Sequence, residues 1–154
     1  MKRLAFGICT CITVIFVTYG AFGADDLDAL AGKWAVKKTN EQGDKYTQTL
    51  EIKKDKFVFQ ILDGDNQLTL YAEGDIKLEK LAAFSSIRFL HIRAGGSAAS
   101  LKDLDDEYVS VYVLDDDTWI MASNFDKQRE QQKPSADAYR RIKTVAPSKP
   151  GKSA

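Results

Sequence analysis

The sequence predicts an all-β domain of antiparallel strands, preceded by a short helical turn. From residue 33 onward, apolar and polar residues alternate over short stretches, which is the pattern of a half-buried strand. Turn-forming residues separate these stretches, most clearly at 63–66 and 115–117. Short strands joined mostly by hairpins are typical of an antiparallel barrel or sandwich.

The first 23 residues have the pattern of a cleavable signal peptide. Lys2 and Arg3 precede an apolar run over residues 4–17, which is shorter than the roughly 20 residues that a membrane span needs. Small residues at Ala21 and Gly23 favour cleavage directly after Gly23. We therefore expect a periplasmic or extracellular protein with no membrane span after cleavage.

Removal of this segment changes the chemistry that the chain can perform. Cys9 and Cys11 both lie within it, so the mature chain has no thiol for a disulfide, a metal site or a nucleophile. Loss of Lys2 and Arg3 leaves 20 basic residues against 22 acidic ones. This balance argues against a nucleic-acid-binding protein, which usually carries a strongly basic surface.

The predicted elements begin with a helical turn at residues 25–31, which has Leu27 and Leu30 on one face and ends at Gly32. The fourth strand is expected to bend at Gly74. The sequence predicts strands at residues 33–38, 46–53, 56–62, 68–78, 87–93, 108–114, 118–123 and 138–143. It also predicts a long loop at 95–106 and a disordered tail at 144–154.

Two resemblances bear on the choice between barrel and sandwich. Gly32-Lys33-Trp34, placed between the helical turn and the first strand, resembles the Gly-x-Trp signature of lipocalins. More closely, residues 27–143 resemble small exported lipocalin-like domains of planctomycete bacteria, which open with Leu-x-Gly-x-Trp, like residues 30–34 here. This resemblance implies one eight-stranded antiparallel barrel over residues 24–143, but no particular activity.

The same resemblance implies a structural role for Trp34. In lipocalins this tryptophan plugs the closed end of the barrel, and an arginine near the last strand covers its ring, a cation–π contact. The resemblance favours Arg141 as that residue. Strand alternation favours Arg140, because it shares a face with the more apolar Ala138 and Ile142. We prefer Arg141 and keep both as candidates.

The titratable residues do not form a recognisable catalytic motif. His91 is the single histidine and is expected to share a strand face with Phe89 and Arg93. A histidine base usually works with a nucleophile and an orienting group, and the sequence has no Gly-x-Ser-x-Gly elbow. We therefore interpret His91 as a surface or hydrogen-bonded residue and expect the protein not to be an enzyme.

The acidic clusters are interpreted as solvated turns. The segment Asp63-x-Asp65-Asn66 resembles the opening of a calcium loop. Such a loop needs a glutamate at its twelfth position, which here is Gly74. We expect neither a metal site nor a cofactor.

On a barrel, half of the aromatic residues are expected to point inward, where they either line an apolar pocket or fill the interior. Barrels of this size commonly hold one small ligand. We expect a non-enzymatic exported barrel that binds a small apolar molecule. The candidate pocket residues are Phe57, Phe59, Tyr71, Phe89, Tyr112 and Trp119. The alternative is a structural or interaction module of the cell envelope, with a filled barrel and an envelope protein as its partner.

Overall fold

A computed structural model describes residues 24–128 and 132–143. In this part of the chain one helix, α1 (Ala24–Leu30), precedes nine strands. The strands are β1 (Gly32–Thr39), β2 (Lys45–Lys53), β3 (Lys56–Leu62), β4 (Leu68–Leu81), β5 (Phe84–Gly95), β6 (Lys102–Asp103), β7 (Tyr108–Asp115), β8 (Thr118–Ser123) and β9 (Ser135–Arg141). The proposed signal peptide and the proposed disordered tail lie outside the described residues.

The strands form a closed antiparallel barrel. Each of β1 to β5 pairs with its neighbour in the chain, β7 continues from β5, and β9 returns to pair with β1. The two-residue β6 lies beside the end of β5, so the ring itself has eight strands. This confirms the predicted fold class and selects the barrel over the sandwich.

The two ends of the barrel carry different connections. The tight turns at residues 54–55, 82–83 and 116–117 lie at the end where β1 begins and where α1 packs, which we call the closed end. The four longer connections lie at the opposite end, which we call the open end. Within the described residues, no helix has the length and hydropathy of a membrane span.

Alternation along the strands places apolar side chains inside the barrel. In β2, Leu50 and Ile52 are buried, whereas Glu51 and Lys53 are exposed. The buried residues form one hydrophobic core that extends from Leu30 of α1 into the barrel. Burial of these side chains supplies most of the driving force for folding.

A β-bulge interrupts this alternation between β4 and β5. Two residues of β5, His91 and Ile92, lie opposite the single residue Gly74, and His91 has a φ of 49°. A Cβ at Gly74 would lie 2.5 Å from the Leu90 carbonyl oxygen, so the bend requires glycine. The extra residue leaves His91 exposed while Phe89 and Ile92 are buried. The expectation that His91 shares a face with Phe89 was therefore wrong.

Candidate functional site

The closed end is filled by two tryptophans. Trp34 of β1 and Trp119 of β8 are both fully buried, and their ring centroids lie 5.5 Å apart in an edge-to-face arrangement. The Trp34 Nε1 group donates a hydrogen bond of 2.9 Å to the Leu30 carbonyl at the end of α1. The helix is thereby fixed across this end of the barrel.

Arg141 of β9 covers the Trp34 ring from outside. Its guanidinium carbon lies 4.0 Å from the ring centroid. Its two terminal nitrogens donate hydrogen bonds of 2.6 and 2.7 Å to the carbonyls of Ala31 and Ala29. The last carbonyls of a helix lack partners within the helix and carry a partial negative charge, so a cation is favourable there.

Two neighbours of Arg141 fit this arrangement. Gly32 has a φ of 118°, and a Cβ on it would lie 3.0 Å from the nearer guanidinium nitrogen of Arg141. Arg140, the other candidate, is exposed and instead donates a hydrogen bond to Thr118. The residue over Trp34 is therefore Arg141.

Above the tryptophans, the barrel encloses a cavity of about 440 Å³. Ala72 and Ala94 are paired on adjacent strands and both line it, so the wall formed by β4 and β5 is thin at this point. Phe57 of β3 and Phe89 of β5 also line it and pack edge to face, with ring centroids 5.0 Å apart. The remaining lining has both apolar and polar residues, and its apolar part includes Leu50, Phe59, Ile92 and Met121.

The six candidate pocket residues divide into two groups. Phe57, Phe59 and Phe89 line the cavity. The other three are not among its lining residues. The Tyr71 hydroxyl donates a hydrogen bond of 3.2 Å to Glu73, on the face of β4 opposite to that of buried Ala72. Tyr112 and Trp119 belong to the closed end, where their ring centroids lie 6.1 Å apart.

Polar groups line the cavity toward the open end. The Lys38 ammonium lies 2.7 Å from the Asp137 carboxylate, and the Tyr139 hydroxyl donates a hydrogen bond of 3.1 Å to the Gln48 side-chain carbonyl. Burial raises the pKa of Tyr139, so this hydroxyl keeps its proton.

Sequence reasoning missed this ion pair because it selected bulky aromatic residues. Strand alternation places Lys38 on the same face as Trp34 and Val36, and Asp137 on the same face as Tyr139. A charged residue at an inward-facing position of a strand was the signal that could have identified both.

A second depression, of about 630 Å³, lies beside the cavity at the open end. Gln48 and Ile61 line both spaces, so the two adjoin. Asp63, one of its acidic residues, stabilises a turn. Its carboxylate accepts hydrogen bonds of 3.0 and 2.8 Å from the backbone amides of Asp65 and Gln67. Across the described ranges, no three metal-binding side chains are grouped to hold an ion.

His91 lies on the outer surface of the barrel. Its side chain is 80% exposed, and its Nδ1 atom lies 2.7 Å from the Asp75 carboxylate. Asp75 also bonds to Lys56, and the two partners, Lys56 first, lower the pKa of this carboxyl group. Neither His91 nor Asp75 lines the cavity.

The cavity is the feature with the clearest chemical capacity. It offers an apolar body and a polar rim near the open end, which together suit a small amphipathic molecule. The filled closed end leaves the open end as its entrance. No model of a known protein family matches the chain, and no curated protein or solved structure is significantly similar to it.

Proposed function

We propose that this chain is an exported, non-enzymatic ligand-binding barrel that holds a small apolar molecule inside. The observation that carries the proposal is the cavity of about 440 Å³ above the Trp34–Trp119 plug. Small-molecule sites typically measure roughly 300–1,000 Å³ and are mostly apolar with a few polar groups. This cavity has that size and composition.

We also propose that the domain is lipocalin-like. The closed eight-stranded barrel, the preceding helix and the tryptophan that follows Gly32 support this relationship. The guanidinium of Arg141 over that tryptophan supports it further. These features support a shared architecture, and ligand binding itself rests on the cavity.

Fluorescence titration with N-phenylnaphthylamine, an uncharged apolar probe, tests the binding proposal. The wild-type protein is expected to bind the probe with increased emission. Ala94→Phe places a ring in the cavity and is expected to weaken binding at least about tenfold. The matched control is Ala138→Phe, which adds the same ring at an exposed position on β9. Absence of probe binding, or equal loss in both variants, would contradict the proposal.

Export needs a separate test. N-terminal sequencing of the protein secreted by a bacterial host is expected to begin at Ala24 or within a residue or two of it. A mature form that retains Cys9 and Cys11 would contradict both export by cleavage and the absence of a thiol.

An interaction module remains a second candidate because the outer face of the barrel has an apolar patch. Val113, Ile120 and Ala138 are cross-strand neighbours on β7, β8 and β9, and all three are exposed. Exposed apolar patches often mark protein contacts. If a second copy covers this patch, sedimentation velocity will show a dimer that Ile120→Lys abolishes. A monomer at every concentration would contradict self-association through this face.

A further inference from the structure

We infer that the cavity selects uncharged amphipathic molecules over organic anions and cations, because Lys38 and Asp137 balance each other on its wall. The inference rests on the proposed function, since it concerns what the same cavity holds. Among the described residues that line the cavity, Lys38 and Asp137 are the only charged ones. The lining therefore carries one positive and one negative charge in direct contact.

The position of the pair is fixed by the strand register. β1 and β9 are paired at Trp34↔Arg141 and Ala35↔Arg140. Extended along both strands, the same register places Lys38 opposite Asp137. Both side chains are largely buried, with exposed fractions of 24% and 18%. The ion pair thus joins the two strands beyond their last backbone pair.

This geometry disfavours a charged ligand of either sign. The Lys38 and Asp137 atoms are 2.7 Å apart, so a carboxylate that contacts the ammonium also lies close to the Asp137 carboxylate. Repulsion between partly buried like charges is weakly screened by salt. Displacement of Asp137 would instead leave its charge largely buried without a partner, which is costly. An organic ammonium that contacts the Asp137 carboxylate likewise lies close to the Lys38 ammonium, which repels it.

An uncharged oxygen meets neither penalty. The Lys38 ammonium has three donors, and its contact with Asp137 leaves others for a hydroxyl or carbonyl oxygen. The Gln48 side-chain carbonyl accepts from Tyr139, while its amide nitrogen makes no hydrogen bond to any described residue and can donate to the same oxygen. A chain alcohol, ketone or ester would place that oxygen at the rim and its apolar body against Phe57 and Phe59.

Displacement of bound N-phenylnaphthylamine by decanol, decanoate and decylammonium at neutral pH tests the selectivity. The three ligands share one chain and differ in head-group charge. Decanol is expected to bind at least about tenfold more tightly than either ion. Decanoate or decylammonium binding as tightly as decanol would overturn the inference while leaving the proposed function intact. Failure of the probe and all three ligands to bind would overturn both.

Two variants assign the selectivity to the pair. Asp137→Asn should improve decanoate binding at least about tenfold, and Lys38→Met should do the same for decylammonium. Each variant removes one charge and should improve binding of the ligand whose head group has the sign of the charge removed. If only one of the two variants folds, that variant alone still tests the inference. The control is Glu41→Gln in the exposed Glu41–Lys133 pair at the same end, with a side chain 84% exposed. It should change decanoate binding less than about twofold. Equal gains in Asp137→Asn and Glu41→Gln would contradict a local cause.

Discussion

The two ends of the barrel use the same strands for different purposes. At the closed end, Trp34, Trp119 and Leu30 occupy the interior, and each is fully buried. At the open end the same eight strands carry smaller and more polar inward side chains and leave the cavity. The comparison predicts that the closed end contributes more to stability than the open end, where the cavity lies.

Loss of the plug is expected to have the largest effect. Trp34→Ala should lower the free energy of unfolding by about 3–5 kcal/mol, the usual cost of truncating a buried large aromatic residue. The matched variant at the other end is Phe59→Ala, which should cost roughly half as much, because Phe59 is only partly buried and already borders empty space. Urea denaturation monitored by circular dichroism measures both. Equal costs would mean that the two ends do not differ in stability.

The covering arginine is expected to have the next largest effect. Arg141→Gln should cost about 2 kcal/mol, because it removes the cation–π contact and the charge-assisted hydrogen bonds to Ala31 and to Ala29 of α1. The exposed Arg140 is the control, and Arg140→Gln should cost less than about 0.5 kcal/mol. In a double-mutant cycle with Trp34→Ala, only the Arg141 variant should show coupling. Additive effects of Arg141 and Trp34 would contradict the stacked arrangement.

Tyr139, which lies between the two ends, should make stability sensitive to alkali. Burial raises its pKa above the value of about 10 for an unfolded tyrosine. Its contribution is complete below about pH 10 and is lost as the pH rises further, because only the unfolded chain then releases the proton. Tyr139→Phe should cost about 1 kcal/mol at neutral pH through loss of the Gln48 hydrogen bond.

Tyr139→Phe should also make the stability of the protein fall less steeply as the pH rises above about 10. Urea midpoints measured from neutral pH to about pH 11 should fall less steeply for Tyr139→Phe than for the wild-type protein. Identical slopes would show that Tyr139 does not ionise on unfolding in this range.

Calcium is expected to have the smallest effect. The aspartates at the open end belong to turns, where the Asp63 carboxylate already accepts two backbone hydrogen bonds. Millimolar calcium should therefore leave the melting temperature nearly unchanged. A rise of many degrees, measured by scanning calorimetry, would reveal binding to the folded state.

Most of the fold could be predicted because strand alternation and turn residues are local signals. β3 and β8 have the predicted bounds. β5 begins at Phe84 instead of 87, because the preceding turn uses Ala82 at a φ of 54°, and alanine is not a turn signal. The bulge at His91 was also missed, since a bend at Gly74 does not reveal which partner residue is extra.

The cavity could be predicted only in part, because its shape depends on small and polar residues rather than on aromatic ones. Alternation places Phe57 and Phe59 inside, but it does not tell how deep an inward residue lies. Tyr112 and Trp119 point inward at the closed end and so do not line the cavity. The space itself results from Ala72 and Ala94 meeting across two strands, a pairing visible only once the register is known.

The contacts of Arg141 also bear on how the chain folds. Its hydrogen bonds to Ala31 and Ala29 join residues 110 and 112 positions apart. Contacts of such high sequence separation require closure of a loop that contains most of the chain, and they slow the folding reaction. A chain still being synthesised cannot complete the plug until Arg141 has left the ribosome. Barrel closure is therefore a late step, and chains that still lack β9 expose the apolar surface that closure later buries.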